Sequence, residues 1–320
     1  MFFGGLMFDI FEKADKEINS QYSNADSNHA LIENGEKIFV ISIGGSILVD
    51  ERPNAKSFQK IADSINALSA EGNKFVLVVG GGKTARQYIG TAKQLNANNF
   101  LQDEIGIQTT RLNAMLLLPI IQNVFPEILT NVSKAKQVLD SGKIPVFGGI
   151  IPSFTTDAVG ALIAESLDGI FVNLSNVNGV YSEDPRQNPK AKFFPELSFK
   201  QLLSIIKKAQ SMPGQHMVID LPACLILKRS NIPTYFLNGN DLENFEAFVR
   251  GQNFKGTSVI PVSEADILAD NLVETKVSKK LKKKLLKKHL QKEKELLEAE
   301  KPKQKKEKDE EMDMKKFLLH

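Results

Sequence analysis

Three short apolar runs in this chain each end on consecutive glycines and pass directly toward a helical stretch, and no other feature limits the fold so tightly. Residues 37–43 lead into Gly44-Gly45-Ser46, residues 75–79 into Gly80-Gly81-Gly82-Lys83-Thr84, and residues 144–147 into Gly148-Gly149. Two further runs, 169–174 and 234–237, have the same continuous apolar character. Runs of this length and kind suit strands buried on both faces, as in a parallel sheet. Between them lie helical stretches at 55–70, 84–95, 111–125 and 157–167. Strand, glycine turn and helix in alternation predict an α/β fold with a mostly parallel sheet. In such folds ligands gather where the carboxyl ends of strands face helix N-termini, so the glycine loops are where chemistry is expected.

Glycine allows a positive φ and a close backbone approach, so main-chain N–H groups can face phosphate oxygens. A helix starting just behind adds the positive end of its dipole. One glycine after a strand is usually only a turn, but three such loops in succession point to phosphate. Neither the GxGxxG nor the GxxxxGK[ST] pattern occurs in them, which disfavours the two commonest nucleotide folds. Lys83 and Arg86 stand within one turn of each other at a helix start and suit neutralising phosphate charge; as plain residues of an exposed helix they would need no such role. Thr155, Thr156 and Asp157 read as a helix N-terminus capped by its hydroxyls. A carboxylate there also suits holding Mg²⁺ or orienting reacting groups, since phosphoryl transfer depends mainly on positioning and charge stabilisation. A fourth segment, 175–185, carries Asn178-Gly179 as a tight turn and ends on Asp184-Pro185. Its Tyr181 and Asp184 suit contact with a base and a ribose.

Charge separates the ends from the body. Lys276 to His320 hold 17 lysines and nine acidic residues, a local charge of +8, so the rest carries −5 of the total of +3. Three zones follow: an N-terminal extension and polar linker over 1–36, an α/β domain over 37–262, and a Lys/Glu-rich tail over 263–320, helical or disordered. Leucines 281, 285, 286, 290, 296 and 297 give the tail a partial stripe; it reads as a solvated extension or as a polycationic contact for nucleic acid or an acidic lipid surface. It has no aromatic residue before Phe317 for stacking on bases. A single cysteine, Cys224, excludes an internal disulfide and a Cys-rich metal site, which with the lack of a roughly 20-residue apolar run gives a cytoplasmic reading. The first eleven residues are apolar but begin with no basic residue and contain Asp9, a poor signal peptide.

The order and spacing of these segments resemble the amino acid kinase superfamily, and within it the uridylate (UMP) kinases of archaeal type. The residues that carry the resemblance are Gly80-Gly81-Gly82-Lys83-Thr84-Ala85-Arg86, Asp103-Glu104-Ile105-Gly106-Ile107-Gln108, Arg111-Leu112-Asn113-Ala114, Thr155-Thr156-Asp157-Ala158-Val159 and Asn176-Val177-Asn178-Gly179-Val180-Tyr181. The resemblance implies a three-layer α/β/α sandwich that moves the γ-phosphoryl of ATP, with Mg²⁺, onto UMP. It places Lys83, Arg86 and Asp157 at the reaction centre, and Gly45, Ser46, Gly82 and Arg86 on the ATP phosphates. Ser175, Tyr181 and Asp184 would hold the base and ribose of ATP. Gly81, Asp103, Ile150, Ile151, Pro152, Ser153, Phe154, Thr155 and Thr156 would bind UMP, with Asp103 on the ribose hydroxyls. It also implies a homo-oligomer, a hexamer built from dimers, with 111–125 near an interface. Which residues, if any, would ligate the metal is left open.

The chain departs from the family pattern at four places. Ser42 stands where many members carry Lys, although some archaeal-type members lack it. Ser153 follows Pro152 where Gly is common. Leu225 lies where a Lys is common one turn after Asp220-Leu221-Pro222, the first basic residue there being Lys228. Asn178 replaces an Asp before Gly179. These departures keep open a second reading, a nucleotide-binding regulatory or scaffold protein with a degenerate kinase site.

Overall fold

A computed structural model describes residues 37–210 and 218–259, with the side chain of Gln210 excepted. The readings for the N-terminal extension and the charged tail lie outside the described residues. The core is one eight-stranded sheet in the order β3-β4-β2-β1-β5-β9-β10-β8. Its strands are β1 (Ile38–Ile43), β2 (Lys74–Val79), β3 (Val124–Leu129), β4 (Ile144–Phe147), β5 (Ile170–Ser175), β8 (Glu196–Leu197), β9 (Thr234–Asn238) and β10 (Gly256–Val259). Every neighbouring pair is parallel except β9 and β10. A separate hairpin joins β6 (Val180–Tyr181) to β7 (Phe193–Phe194).

The helices are α1 (Gly45–Leu48), α2 (Ala55–Ala70), α3 (Gly82–Gln94), α4 (Asn99–Met115), α5 (Lys134–Asp140), α6 (Thr156–Leu167), α7 (Phe199–Gln210), α8 (Leu221–Arg229) and α9 (Leu242–Val249). Alternate strand residues face opposite sides of the sheet, and this periodicity builds two cores. Phe39, Ile41, Ile43, Phe75, Leu77 and Val79 pack with Phe58, Ile61 and Ile65 of α2 and with Phe245 and Phe248 of α9. Val40, Val76, Val78 and Phe171 face the other way, onto Ala158, Val159, Ala161 and Ile163 of α6, Leu202 of α7 and Leu227 of α8. The predicted three-layer α/β/α sandwich is therefore present.

One predicted element is corrected. Residues 111–125 are helical only to Met115: α4 starts at Asn99, capped by Asn98, whose side chain accepts the Leu101 N–H at 2.9 Å, and it ends at Met115. Leu117 and Ile121 are both buried and four apart, which imitates a helical stripe, yet they belong to successive turns. Asn123 then takes φ 54° and the chain enters β3. Pro126 hides that strand from a sequence reading, and the sheet tolerates it because β3 is an edge strand with a register shift between Val124 and Ile128.

Candidate functional site

The first two glycine loops interlock. Gly44 donates its N–H to Leu174 O at 2.8 Å, and Gly80 donates to Ile43 O at 2.9 Å, which extends the sheet bonding past the strand ends. Gly45 is buried with its Cα against the other loop: a Cβ there would lie 2.0 Å from Gly82 N and 2.7 Å from the Gly80 carbonyl carbon. Gly82 takes φ +63° at the start of α3. Asn113 of α4 closes the arrangement, its Nδ2 donating to Gly80 O at 3.0 Å and Gly81 O at 3.1 Å. Glycine is required here by backbone contact between the loops as much as by any ligand.

Beside these loops lies a cleft of about 400 Å³, a size that suits a small-molecule ligand. Its walls include Gly44, Ser46, Arg86, Ser175, Tyr181 and Asp184. Thr156 and Asp157 at the head of α6 and Asn173 toward the carboxyl end of β5 also line it. Tyr181 is half-buried with its ring 5.2 Å from that of Phe193. Asp184 is buried and committed: Arg186 donates Nε to Oδ1 at 2.9 Å and Nη2 to Oδ2 at 2.7 Å. Arg186 itself is half exposed and lines the cleft. Lys83 turns elsewhere, onto Glu51 at 2.8 Å, and that contact raises its pKa.

Asp157 holds the centre of a small polar cluster. Its Oδ1 accepts the Ser42 hydroxyl at 2.6 Å and the Asn173 Nδ2 at 2.9 Å. Asp157 is partly buried and lines the cleft, and the removal of its carboxyl from water pushes its pKa up to about 7. The Ser42 hydrogen bond opposes that shift, the Asp220 carboxylate adds to it, and Asn173 opposes it. Asp220 caps α8, accepting the Ala223 N–H at 2.7 Å, and also accepts the hydroxyl of Thr155. Thr155 in turn caps α6, its Oγ1 accepting the Ala158 N–H at 3.1 Å. One carboxylate thus ties two helix heads together. Cys224, on the buried side of α8, has its thiol pushed up to about 12 by burial, so it is inert at neutral pH.

The expected acceptor loop is held from the opposite side by α4. Arg111 donates Nε to Gly149 O at 3.1 Å, and Gly149 donates its N–H to Thr110 Oγ1 at 2.6 Å. Asp103 lies inside α4, where it accepts the Ser153 N–H at 2.9 Å. Ile150 and Phe154 pack against the core beneath, whereas Ile151 is about half exposed. Ser153 adopts φ 67°, the conformation for which glycine is the ordinary residue. An L-residue there is strained by about 1–2 kcal/mol, part of which glycine loses again through its freer unfolded chain. Ser153→Gly is therefore expected to stabilise the fold by about 0.5–1 kcal/mol in urea denaturation, and a destabilised variant would show that the serine side chain makes a stronger contact than its strain.

Gly44, Ser46, Arg86, Thr156, Asp157, Ser175, Tyr181 and Asp184 come together around one cleft; Lys83 does not, and Gly45 and Gly82 are buried in the loop contact. Gly81, Asp103 and Pro152 to Thr155 form a second group between α4 and the head of α6. Arg111 and Asn113 stood in the sequence motif without a role, and Asn173, Asp220 and Arg186 had none. Asn173 was detectable: a lone amide inside the apolar strand Ile170–Ser175 has to find a polar partner. Among the described residues no group of three or more His, Cys, Asp or Glu could hold a metal, and no helix is long and apolar enough to cross a membrane.

The sequence profile of the amino acid kinase family matches residues 37–238. A uridylate kinase of Pyrococcus abyssi is 42% identical over 224 residues, spanning 69% of this chain and 99% of the relative. One from Methanothermobacter thermautotrophicus is 40% identical over the same length, covering 98% of that protein. The crystal structure of uridylate kinase from Archaeoglobus fulgidus superposes with a TM-score of 0.62 at 38% identity, covering 69% of this chain and 99% of that one. The chain belongs to the amino acid kinase family and, within it, to the uridylate kinases.

Proposed function

We propose that this protein transfers the γ-phosphoryl of MgATP to UMP, giving ADP and UDP. One observation carries the reading: the loop that Arg111 and Asp103 hold runs without a break into Thr156 and Asp157, which line the nucleotide cleft. An acceptor on that loop and a donor in that cleft would meet at the head of α6. The bond from the γ-phosphorus to the β,γ-bridging oxygen breaks, a bond to a UMP phosphate oxygen forms, and ADP leaves with the electron pair. Mg²⁺ enters as part of the nucleotide substrate and neutralises charge on its phosphates.

The chain's own part is positioning and electrostatics. Backbone N–H groups at the starts of α3 and α6 favour anions, and Arg86 is the basic side chain of α3 that lines the cleft. Tyr181 and Ser175 border the space for base and ribose. Asp103 orders the acceptor loop through Ser153 and retains a second oxygen for a ribose hydroxyl. Lys83 is held by Glu51 outside the cleft and takes a lesser part than Arg86. The exposed apolar side chains Tyr88, Phe100, Leu101, Leu112 and Met115 on α3 and α4 suit contact with a second copy, which fits a homo-oligomer and is read in the same way.

The test is turnover with MgATP over UMP, CMP and AMP. UMP is expected to be preferred, and Arg86→Ala to raise KM for ATP and lower kcat/KM by about tenfold to a hundredfold with KM for UMP little changed. Lys83→Ala should do much less. Tight nucleotide binding without transfer to any acceptor would replace this reading with that of a nucleotide-binding scaffold.

A further inference from the structure

Asn173 is an amide within a buried strand, and only half of it is satisfied. Its Nδ2 donates to Asp157 Oδ1, but its own Oδ1 is buried with no hydrogen-bond partner, the one such side-chain atom among the described residues. Turning the amide over makes matters worse, because it sets Oδ1 against an acceptor and leaves Nδ2 without one. Ser42 supplies no donor either, since its hydroxyl proton is given to Asp157. An unpaired carbonyl in such a place is costly, and native structures rarely leave one.

The donor that would complete the cluster is a proton on Asp157. Oδ1 already accepts two hydrogen bonds, so the proton belongs on Oδ2. A carboxylic acid beside a primary amide can make a two-point pair, amide N–H to acid oxygen and acid O–H to amide oxygen, and the first of these contacts is already in place. Burial and the Asp220 carboxylate favour the neutral form and outweigh the Ser42 and Asn173 hydrogen bonds, while the N-terminal end of α6 favours the anion. α6 packs on β1, β2, β5 and α8. These offer Ser42, the valines 76 and 78, Asn173 and the Asp220 carboxylate, and among the described residues no basic side chain joins the polar cluster. Arg86, Glu183, Asp184 and Arg186 line the other walls of the cleft. The acidity of Asp157 is already displaced toward neutrality in the free protein. A bound nucleoside di- or triphosphate remains anionic as its Mg²⁺ complex, and that added negative charge in the same cleft favours the proton further.

We propose that Asp157 is the neutral acid whenever the cleft holds a nucleotide, with Asn173 and Ser42 as the residues that position it, so that nucleotide binding takes up a proton at this carboxyl. The inference rests on the nucleotide-binding half of the proposed function and is independent of which acceptor is phosphorylated. An uncharged side chain at the head of α6 removes a fixed carboxylate from the cleft that takes the phosphates. A carboxylate that ligated the nucleotide's Mg²⁺ would do the opposite and release its proton on binding.

Titration calorimetry of MgADP into the full chain, repeated in buffers of different ionisation enthalpy, reads the proton count and its sign directly. Uptake of about half a proton per nucleotide is expected at pH 7, rising toward about one at pH 8. Asp157→Asn should abolish the uptake. Ser42→Ala removes a hydrogen bond that favours the carboxylate, so the pH of greatest uptake should move upward; this variant keeps the test open if the first binds poorly. Proton release at pH 7, equal uptake in the protein and in Asp157→Asn, or no MgADP binding at all would overturn the proposal. Failure to form UDP with the uptake intact would instead remove only the transfer reading.

Discussion

Gly45→Ala is expected to destabilise the fold by upwards of about 3 kcal/mol and to abolish nucleotide binding. The added methyl would stand 2.0 Å from Gly82 N and 2.6 Å from Gly82 Cα, and all of its nearest neighbours are backbone atoms. A flexible side chain could swing aside, but these atoms lie just past the ends of β1 and β2, two neighbouring interior strands of the sheet, whose last matched residues are Ile43 and Val79. Relief requires parting the two loops, and with them the N–H groups that would face phosphate. Gly72→Ala is the control. Gly72 also has a positive φ, +93°, but its added methyl would meet nothing within 4 Å and it lies at the opposite end of β2. That variant should carry only backbone strain, roughly 1 kcal/mol, with binding preserved. Urea denaturation and MgADP titration of the two variants separate loop contact from the general effect of replacing glycine. Equal behaviour would show that the loops can open without loss.

Asp157→Asn is expected to change stability in a pH-dependent direction. The folded pKa of about 7 lies above the ordinary value of 3.8, so the folded state binds the proton more tightly than the unfolded chain. The stability linked to that proton is present in full below about pH 4 and is lost as pH rises through 7. About three pKa units correspond to about 4 kcal/mol, and the opening of the carboxyl to the cleft lowers the expected effect to about 2–4 kcal/mol. Asparagine carries no such charge. Its stability relative to the parent should therefore rise by that amount between pH 4 and pH 8, measured by urea denaturation at each pH. Parallel pH curves for the two proteins would mean that the carboxyl is solvated and ordinary.

The central strands were legible because their residues are apolar on both faces. β1, β2, β4, β5 and β9 fall within a residue of the runs that the sequence marks. The weaker elements were not. β3 is interrupted by Pro126, and β10 reads Gly-Thr-Ser-Val, whose Thr257 and Ser258 are buried through pairing with β9 rather than through apolar character. In the site, sequence spacing located the loops but not the partners of the side chains on them. Lys83 follows three glycines and has the chemistry of a phosphate ligand, yet Glu51, 32 positions earlier, draws it away. Asp184 was expected to meet the ribose, and Arg186, two residues on, occupies both its oxygens. Asp103 was expected on the ribose hydroxyls, and one of its oxygens accepts a backbone N–H 50 positions along the chain. Ser153 appeared to lose the freedom of a glycine, but the loop keeps the left-handed conformation and bears the strain. Each of these outcomes depends on a contact far along the chain or on a competing charge, neither of which periodicity records.

Transfer of label from γ-labelled ATP to UMP in the presence of Mg²⁺ tests the phosphotransferase assignment most directly. Label is expected in the β-phosphoryl of UDP, with one UDP formed for each ADP released and the rate falling with the Arg86→Ala change. Label that stays in ATP, or passes only to inorganic phosphate while both nucleotides bind, would contradict it.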